Sequence, residues 1–184
     1  MALTKKAQEV VDYLTAEREK FLATAAGLSE PQLNFKAAED QWSIREIFQH
    51  IWLVEGLTAR LMANMLRQAA ENNLPADQDP EGSVLTSLAA HADKLTATFQ
   101  APERVVPVDA LPLADSIAKM TETRAKLLEP IDELCKYDVT ALQYPHPALG
   151  PINSYQWLLV MGGHEARHRK QIDRIKGDAN YPAS

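Results

Sequence analysis

The sequence has little of what marks secreted, membrane-spanning or nucleic-acid-binding proteins. Its single cysteine, Cys135, cannot form an intramolecular disulfide, which fits a reducing compartment. The opening stretch MALTKKAQEVVDYL turns polar where a signal peptide needs an apolar run, and no apolar stretch approaches membrane-spanning length. A net charge of −6 without a Lys/Arg cluster offers phosphate backbones little to bind. We therefore expect a cytoplasmic protein with no membrane or nucleic-acid partner.

The chain also lacks an internal repeat, a convincing alternating strand pattern and a phosphate-binding glycine loop. Its 184 residues fit one domain, residues 1–184, which is long enough to bury a core. The hydrophobic fraction of 46% and charged fraction of 24% are those of an ordinary globular protein. Nothing near Cys135 in sequence would lower its pKa, so we interpret it as a buried or half-buried packing residue.

What the chain does have is apolar residues that recur at helical spacing. They predict four long helices, near residues 4–26, 43–70, 113–128 and 153–176. Capping-box spacing begins the second of these at Ser43 and the fourth at Asn153. Shorter helical segments are predicted near 29–35 and 83–95. Because the connections are unequal in length, the predicted fold class is all-α, a four-helix bundle with long crossover connections.

The most informative stretch runs from Trp157 to Ile175 and contains His164 and His168. Residues four apart on an α-helix lie on nearly the same face, about 6 Å apart along the axis, so two imidazoles at this spacing can bind one metal ion. Both histidines fall on the apolar stripe of the helix and should face the core. Two hydrogen-bonded core histidines are the alternative interpretation.

The other histidines differ in their settings. His50 lies on the predicted apolar face of the second helix, and three inward-facing histidines on two helices are harder to explain as packing than one. His91 falls in the predicted segment 83–95 and is expected to face solvent or a rim. His146 lies between two prolines in the predicted extended connection 137–151, as a loop residue or as part of a substrate rim.

The residues from His164 to His168 also match H-E-x-x-H, in which the glutamate is the general base of a zinc protease. Such sites normally draw a third ligand from downstream, but residues 169–184 contain neither His nor Glu. Glu165 also lies about 100° around the helix from His164. A metalloprotease is therefore the weakest interpretation, and we expect Glu165 and Arg167 to form ion pairs between helices.

Two sequence segments carry a family resemblance. W-S-I-R-E-I-F-Q-H ends at His50, and H-P-A-L-G-P, beginning at His146, leads to H-E-A-R-H-R-K-Q-I. Together they resemble the DinB/YfiT-like superfamily of metalloenzymes, most closely its DinB_2 branch, nearly end to end. The resemblance implies a four-helix bundle in which His50, His164 and His168 bind one divalent metal ion, which is nickel, zinc or iron in family members. Gln171, one turn after His168, is expected either to orient a ligand or to fill the core.

The resemblance also implies functions. Characterised members include transferases and isomerases that use low-molecular-weight thiols, and related domains occur in the iron enzymes of ergothioneine synthesis. The chain is thus expected to be a divalent-metal-dependent enzyme, a thiol-dependent S-transferase or a hydrolase, whose partner is a small-molecule substrate such as a low-molecular-weight thiol. Since several members form dimers, a homodimer is a further expectation. The alternative is a non-catalytic, stress-associated metal-binding protein. Three imidazoles accept most late first-row metals, so the ligand types do not name the ion.

Overall fold

Four long helices form the body of the structure, a computed structural model that describes residues 3–88 and 100–183. The helices in chain order are α1 (Lys5–Ala23), α2 (Glu30–Asn34), α3 (Ile44–Glu71), α4 (Leu113–Leu128), α5 (Ile131–Leu134) and α6 (Ser154–Lys176). A 3-10 turn spans Glu103–Val105, and two short strands are β1 (Gln143–His146) and β2 (Gly150–Asn153). Helix α1 packs along α6, α3 packs along α4, and α3 also contacts α6. All four predicted long helices are present, and the predicted all-α bundle is confirmed.

Reciprocal caps set where the two histidine-bearing helices begin. The Ser43 hydroxyl accepts a hydrogen bond from the Glu46 N–H at 3.3 Å, and the Glu46 carboxylate accepts one from the Ser43 N–H at 2.7 Å. Asn153 and Gln156 form the same pair of bonds at the start of α6, both at 3.0 Å. These caps satisfy backbone donors that have no partner within the helix. They also fix the register of each helix from its first turn.

The core consists of two large apolar clusters. One contains buried side chains of all four long helices, among them Leu14, Met62, Leu127 and Leu158. The second lies toward the opposite ends of the same helices and contains Phe21, Phe48, Met120 and Ile172. Burying each such side chain contributes about 1.5–3 kcal/mol relative to leaving it exposed. On every long helix, one charged residue that is buried or largely buried falls between the two clusters.

The connection 137–151 contains a structure that the sequence did not predict. Strands β1 and β2 pair antiparallel, with Pro145 opposite Pro151 and His146 opposite Gly150. Proline is tolerated because each strand has one unpaired edge, where no N–H is needed for the ladder. Gly150, where the chain turns back to begin β2, has φ +76°. This left-handed backbone conformation favours glycine. The sequence predicted an extended connection here but not the pairing of two strands, because prolines hide the strand pattern.

The predicted helical segment 83–95 falls only partly on described residues. Residues 84–88 form bends and turns, and the rest of the segment, including His91, lies outside the described residues. None of the helices that the structure describes combines the length and the hydrophobicity that crossing a membrane requires.

Candidate metal centre

Helices α3 and α6 bring three histidines together. The Nε2 atom of His164 lies 3.3 Å from Nε2 of His50 and 2.9 Å from Nε2 of His168. The ligand atoms of all three residues lie within 4.8 Å of one another. His50 comes from the second turn of α3, and the other two come from successive turns of α6. The structure therefore places at one point the three histidines that the sequence singled out.

Hydrogen bonds on the far side of two rings determine which nitrogen faces this point. Nδ1 of His50 lies 2.7 Å from the carbonyl oxygen of Val105, and Nδ1 of His168 lies 2.8 Å from the amide oxygen of Gln171. Since both oxygens can only accept, both Nδ1 atoms carry the proton and donate it. The Nε2 atoms of His50 and His168 therefore present lone pairs, the form in which imidazole binds a metal.

The geometry fits a divalent metal ion. A tetrahedral zinc ion with Zn–N distances of about 2.0–2.1 Å separates its nitrogen ligands by about 3.3 Å. The separations of 2.9 and 3.3 Å between Nε2 of His164 and its two neighbours are close to that spacing. Nδ1 of His164 is buried without a hydrogen-bond partner among the described residues, so its Nε2 can present a lone pair as well. Three imidazoles suit zinc, nickel and iron, and a site with three protein ligands leaves a coordination position for water or substrate.

Burial keeps these histidines neutral. It lowers the pKa of His50 to about 4 and that of His168 to about 3, with a smaller contribution from the positive charge of Arg167. The pKa of His164 is lowered well below its usual value, first by burial and then by the neighbouring histidines. Since metal binding requires the neutral imidazole, none of the three needs to lose a proton near pH 7 before binding.

A cavity of about 1090 Å³ adjoins the three histidines, all of which contribute to its wall. Trp42 packs against the centre, with its ring centroid 4.6 Å from that of His50 and 6.3 Å from that of His168. The tryptophan and histidine of the W-S-I-R-E-I-F-Q-H segment are therefore in contact. A cavity of this size accepts a small molecule beside the centre.

The structure gives the positions of two residues whose roles the sequence left undecided, Gln171 and His146. Gln171 orients His168 through the hydrogen bond described above and also lines the cavity. His146 lies in β1 and lines the cavity too, with its ring centroid 4.9 Å from that of Trp157. Its Nδ1 accepts hydrogen bonds from the N–H groups of Ala148 and Leu149 at 3.1 and 3.2 Å. Of the two roles that the sequence left open for His146, the structure favours the cavity wall.

Glu165 lies on the other side of α6 from the cavity wall, in a buried ionic layer. Its Oε1 atom accepts hydrogen bonds from Arg18 and Arg124, both at 2.7 Å, and the same two arginines bind the carboxylate of Glu55. Each of the four long helices contributes one member of this layer. The predicted ion pair between helices is confirmed for Glu165. A carboxylate that is fully buried between two guanidinium groups is not available to activate a water molecule at the histidine centre.

The expected ion pair of Arg167 is not formed with any residue that the structure describes. Its side chain lines the cavity instead. Sequence reasoning also missed Arg18 and Glu55, although a signal was present. Both occupy positions on apolar stripes, Arg18 between Leu14 and Phe21 and Glu55 between buried residues of α3, and a charge at a core position predicts a buried partner.

Comparison with known proteins agrees with this architecture. The DinB_2 family model, of the DinB superfamily, matches residues 13–172. An uncharacterised protein of Bacillus subtilis (strain 168), YuaE, is 25% identical over 151 residues, which are 82% of this chain and 86% of that protein. The crystal structure of TT2238, a four-helix bundle protein, aligns with a TM-score of 0.61 and 23% identity over 91% of this chain and 98% of that chain, a likeness of fold alone. The match, which spans all four long helices and the three clustered histidines, shows that the chain belongs to the DinB superfamily, in its DinB_2 family.

Proposed function

We propose that this protein is a divalent-metal-dependent enzyme that acts on a small molecule, with His50, His164 and His168 as the metal ligands. One observation carries the proposal: three Nε2 atoms converge at the wall of a cavity large enough for a substrate. Structural metal sites normally close the coordination sphere with four protein ligands, whereas catalytic sites keep a position open. A bound metal would make a thiol or water at that position easier to deprotonate.

The preferred reaction is S-transfer from a low-molecular-weight thiol to an electrophilic substrate. The family resemblance supports this class, and the chain's own thiol does not compete for the role. Cys135 is buried away from the residues that line the cavity, and burial raises the pKa of its thiol to about 12. The thiol substrate therefore comes from solution. In the hydrolytic alternative, a water molecule replaces the thiol as the nucleophile.

The chain's own residues hold the site in shape. The Val105 carbonyl and the Gln171 amide fix two imidazole rings, and Trp42 covers part of the centre. Rings held in this way leave little reorganisation to be done when a metal or substrate binds. Nickel, zinc and iron all fit this ligand set. Which of them is bound therefore depends on metal supply and is determined by metal analysis.

Metal analysis tests the ligand assignment. Protein purified without chelator is expected to hold about one metal ion per chain, and His50→Ala and His168→Ala are expected to hold much less. The matched control is His146→Ala, which removes a cavity histidine outside the cluster and should retain the metal. Stoichiometric metal in His50→Ala would show that another residue is the third ligand.

Activity assays test the reaction class. The purified protein is incubated with a panel of low-molecular-weight thiols and electrophiles, and turnover should disappear in His168→Ala. Glu165→Gln should keep the metal dependence, because its carboxylate belongs to the ionic layer. If circular dichroism shows that Glu165→Gln is folded, equal loss of activity in Glu165→Gln and His168→Ala would favour the protease-like interpretation. A metal-loaded protein that turns over nothing in the panel would favour the non-catalytic alternative.

A further inference from the structure

The cavity beside the histidine centre is positively charged within an acidic protein. The described residues of its wall include Arg104, Arg167 and Arg174, against a single carboxylate, Asp40. The chain as a whole carries a net charge of −6. A concave site that gathers cations on a protein of opposite net charge attracts small anions.

Arg167 differs from other buried or half-buried arginines of the described chain in having no ion-pair partner there. Arg18 and Arg124 are bound by the carboxylates of the ionic layer, and Arg169, two residues away on α6, pairs with Glu17 at 3.0 Å. Arg167 is half-buried and has no carboxylate within ion-pair distance among the described residues. Its guanidinium group makes no hydrogen bond to a described residue and lines the cavity, so its donors are available to an oxyanion there.

The position of Arg167 relates it to the centre. It precedes His168 on α6, and its side chain lines the same cavity as His50, His146, His164 and His168. The guanidinium group and the three clustered histidines therefore share one cavity. An anionic group bound by Arg167 would hold the rest of the ligand beside the open side of the centre.

Apolar side chains make up much of the remaining wall, including Leu57, Leu61, Trp157 and Val160. A ligand that matches both parts of the wall has an anionic end and an apolar body. We propose that Arg167 is the anion-binding residue of this cavity and selects substrates that carry a carboxylate or phosphate group on an apolar body. The inference deepens the proposed function, but binding of the anion itself does not require the metal.

Calorimetric titration with matched probes tests this inference. The probes are 3-phenylpropionate, its neutral amide 3-phenylpropionamide, and phenyl phosphate, titrated into the protein as purified and again after metal removal by a chelator. One or both anions should bind the wild type at least about tenfold more tightly than the amide, before and after chelation. The stronger of the two anions shows whether the site prefers a carboxylate or a phosphate.

Three variants locate the binding. Arg167→Gln should weaken anion binding by about ten- to a hundredfold and leave the amide unaffected, because it removes the charge and keeps a polar side chain. Arg167→Lys retains the charge without the two-pronged geometry, so its affinity should be intermediate; it also serves as the test variant if Arg167→Gln does not fold. The control is Arg169→Gln, which removes an arginine from the same helix outside the cavity wall and should bind like the wild type.

The outcomes separate this inference from the proposed function. Equal binding of anions and amide, or unchanged anion binding in Arg167→Gln, overturns the inference. Anion binding that disappears on chelation and persists in Arg167→Gln also overturns it, since the anion then binds the metal, and that result supports the proposed metal centre. Arg167-dependent binding in a protein that never holds metal supports the inference and contradicts the proposed function.

Discussion

At His168, one hydrogen bond decides which ring nitrogen faces the centre. Gln171 follows His168 by one helical turn on the same face of α6, and its amide oxygen lies 2.8 Å from Nδ1 of His168. The bond holds the proton on Nδ1 and the lone pair on Nε2, which lies 2.9 Å from His164. The same bond prevents the ring from turning over.

Replacing Gln171 by alanine should weaken metal binding without removing a ligand. Loss of a partner that orients a metal-bound histidine typically lowers metal affinity about ten- to a hundredfold. Competition with a chromophoric chelator measures the change, and Lys170→Ala, at the exposed neighbouring position, is the control. Equal affinity in both variants would show that the ring is held by packing alone.

At the scale of elements, the four long helices are joined through the buried ionic layer. Arg18 of α1, Glu55 of α3, Arg124 of α4 and Glu165 of α6 alternate in charge, and both glutamates are fully buried. Burial raises the pKa of Glu165, and the two guanidinium groups oppose that rise. Such a layer stabilises the fold only while it is complete, because each charge that loses its partner remains buried.

Arg18→Met should therefore destabilise the protein strongly. Removing one partner of a buried ion pair typically costs about 3–5 kcal/mol, since it leaves an uncompensated buried charge. The control Arg169→Met removes a partly exposed arginine that pairs with Glu17 and should cost about 0–1 kcal/mol. Urea unfolding followed by circular dichroism measures both. A loss in Arg18→Met no larger than in the control would show that the layer contributes little to stability.

The contact between α1 and α6 leads to a second prediction at this scale. A Cβ atom at Gly162 would lie 2.4 Å from Cε1 of Tyr13, whereas one at Gly163 would lie no closer than 3.9 Å to the Tyr13 hydroxyl oxygen. Alanine favours a helix over glycine by about 1 kcal/mol, so Gly163→Ala should be neutral or stabilising. Gly162→Ala should be destabilising by about 1–3 kcal/mol, because the Tyr13 ring must move.

Thermal unfolding of the two glycine variants measures this difference directly. Tyr13 also lines the cavity, so its movement in Gly162→Ala should alter the binding of small molecules there. Similar unfolding temperatures for the two variants would show that the helices separate easily at this contact.

At the scale of the whole molecule, the histidine centre makes stability depend on pH. In the metal-free protein the folded-state pKa is about 4 for His50 and about 3 for His168, below the ordinary histidine value of 6.5. Above pH 6.5 both folded and unfolded chains keep these rings neutral, and the full stability is present. As the pH falls below 6.5, the unfolded chain binds protons that the folded chain does not, so stability falls.

The metal-free protein should thus unfold at lower urea concentration at pH 5 than at pH 7. Each such histidine lowers stability by about 1.4 kcal/mol per pH unit below 6.5, until its folded-state pKa is reached. The variant His50→Gln/His168→Gln should show a shallower dependence on pH, because it lacks two of the groups. Added metal should raise the stability of the wild type at pH 7 and not that of the double variant. The same slope in both proteins would assign the pH dependence to other groups.

Much of this organisation could be predicted from residues that interact within one or two helical turns. Apolar spacing located the four long helices, and capping boxes placed the starts of α3 and α6. The spacing of His164 and His168 indicated that they share one helix face. The position of His50 on the apolar stripe of α3 predicted that it faces the core. The single domain over residues 1–184, the cytoplasmic location and the homodimer stay predictions.

The tertiary structure alone decided how these local features meet. The partner of His50 is a carbonyl 55 residues away, and the partners of Glu165 come from helices 41 and 147 residues away along the chain. The positions of Arg18 and Glu55 on apolar stripes indicate burial, but only the packing of the helices shows which charged residues are their partners. Arg167 was expected to pair with a carboxylate, and only the cavity shows that it faces an open space. The physical reason is that periodicity and caps act between residues close in sequence, whereas charge pairing, desolvation and cavity shape depend on which helices become neighbours.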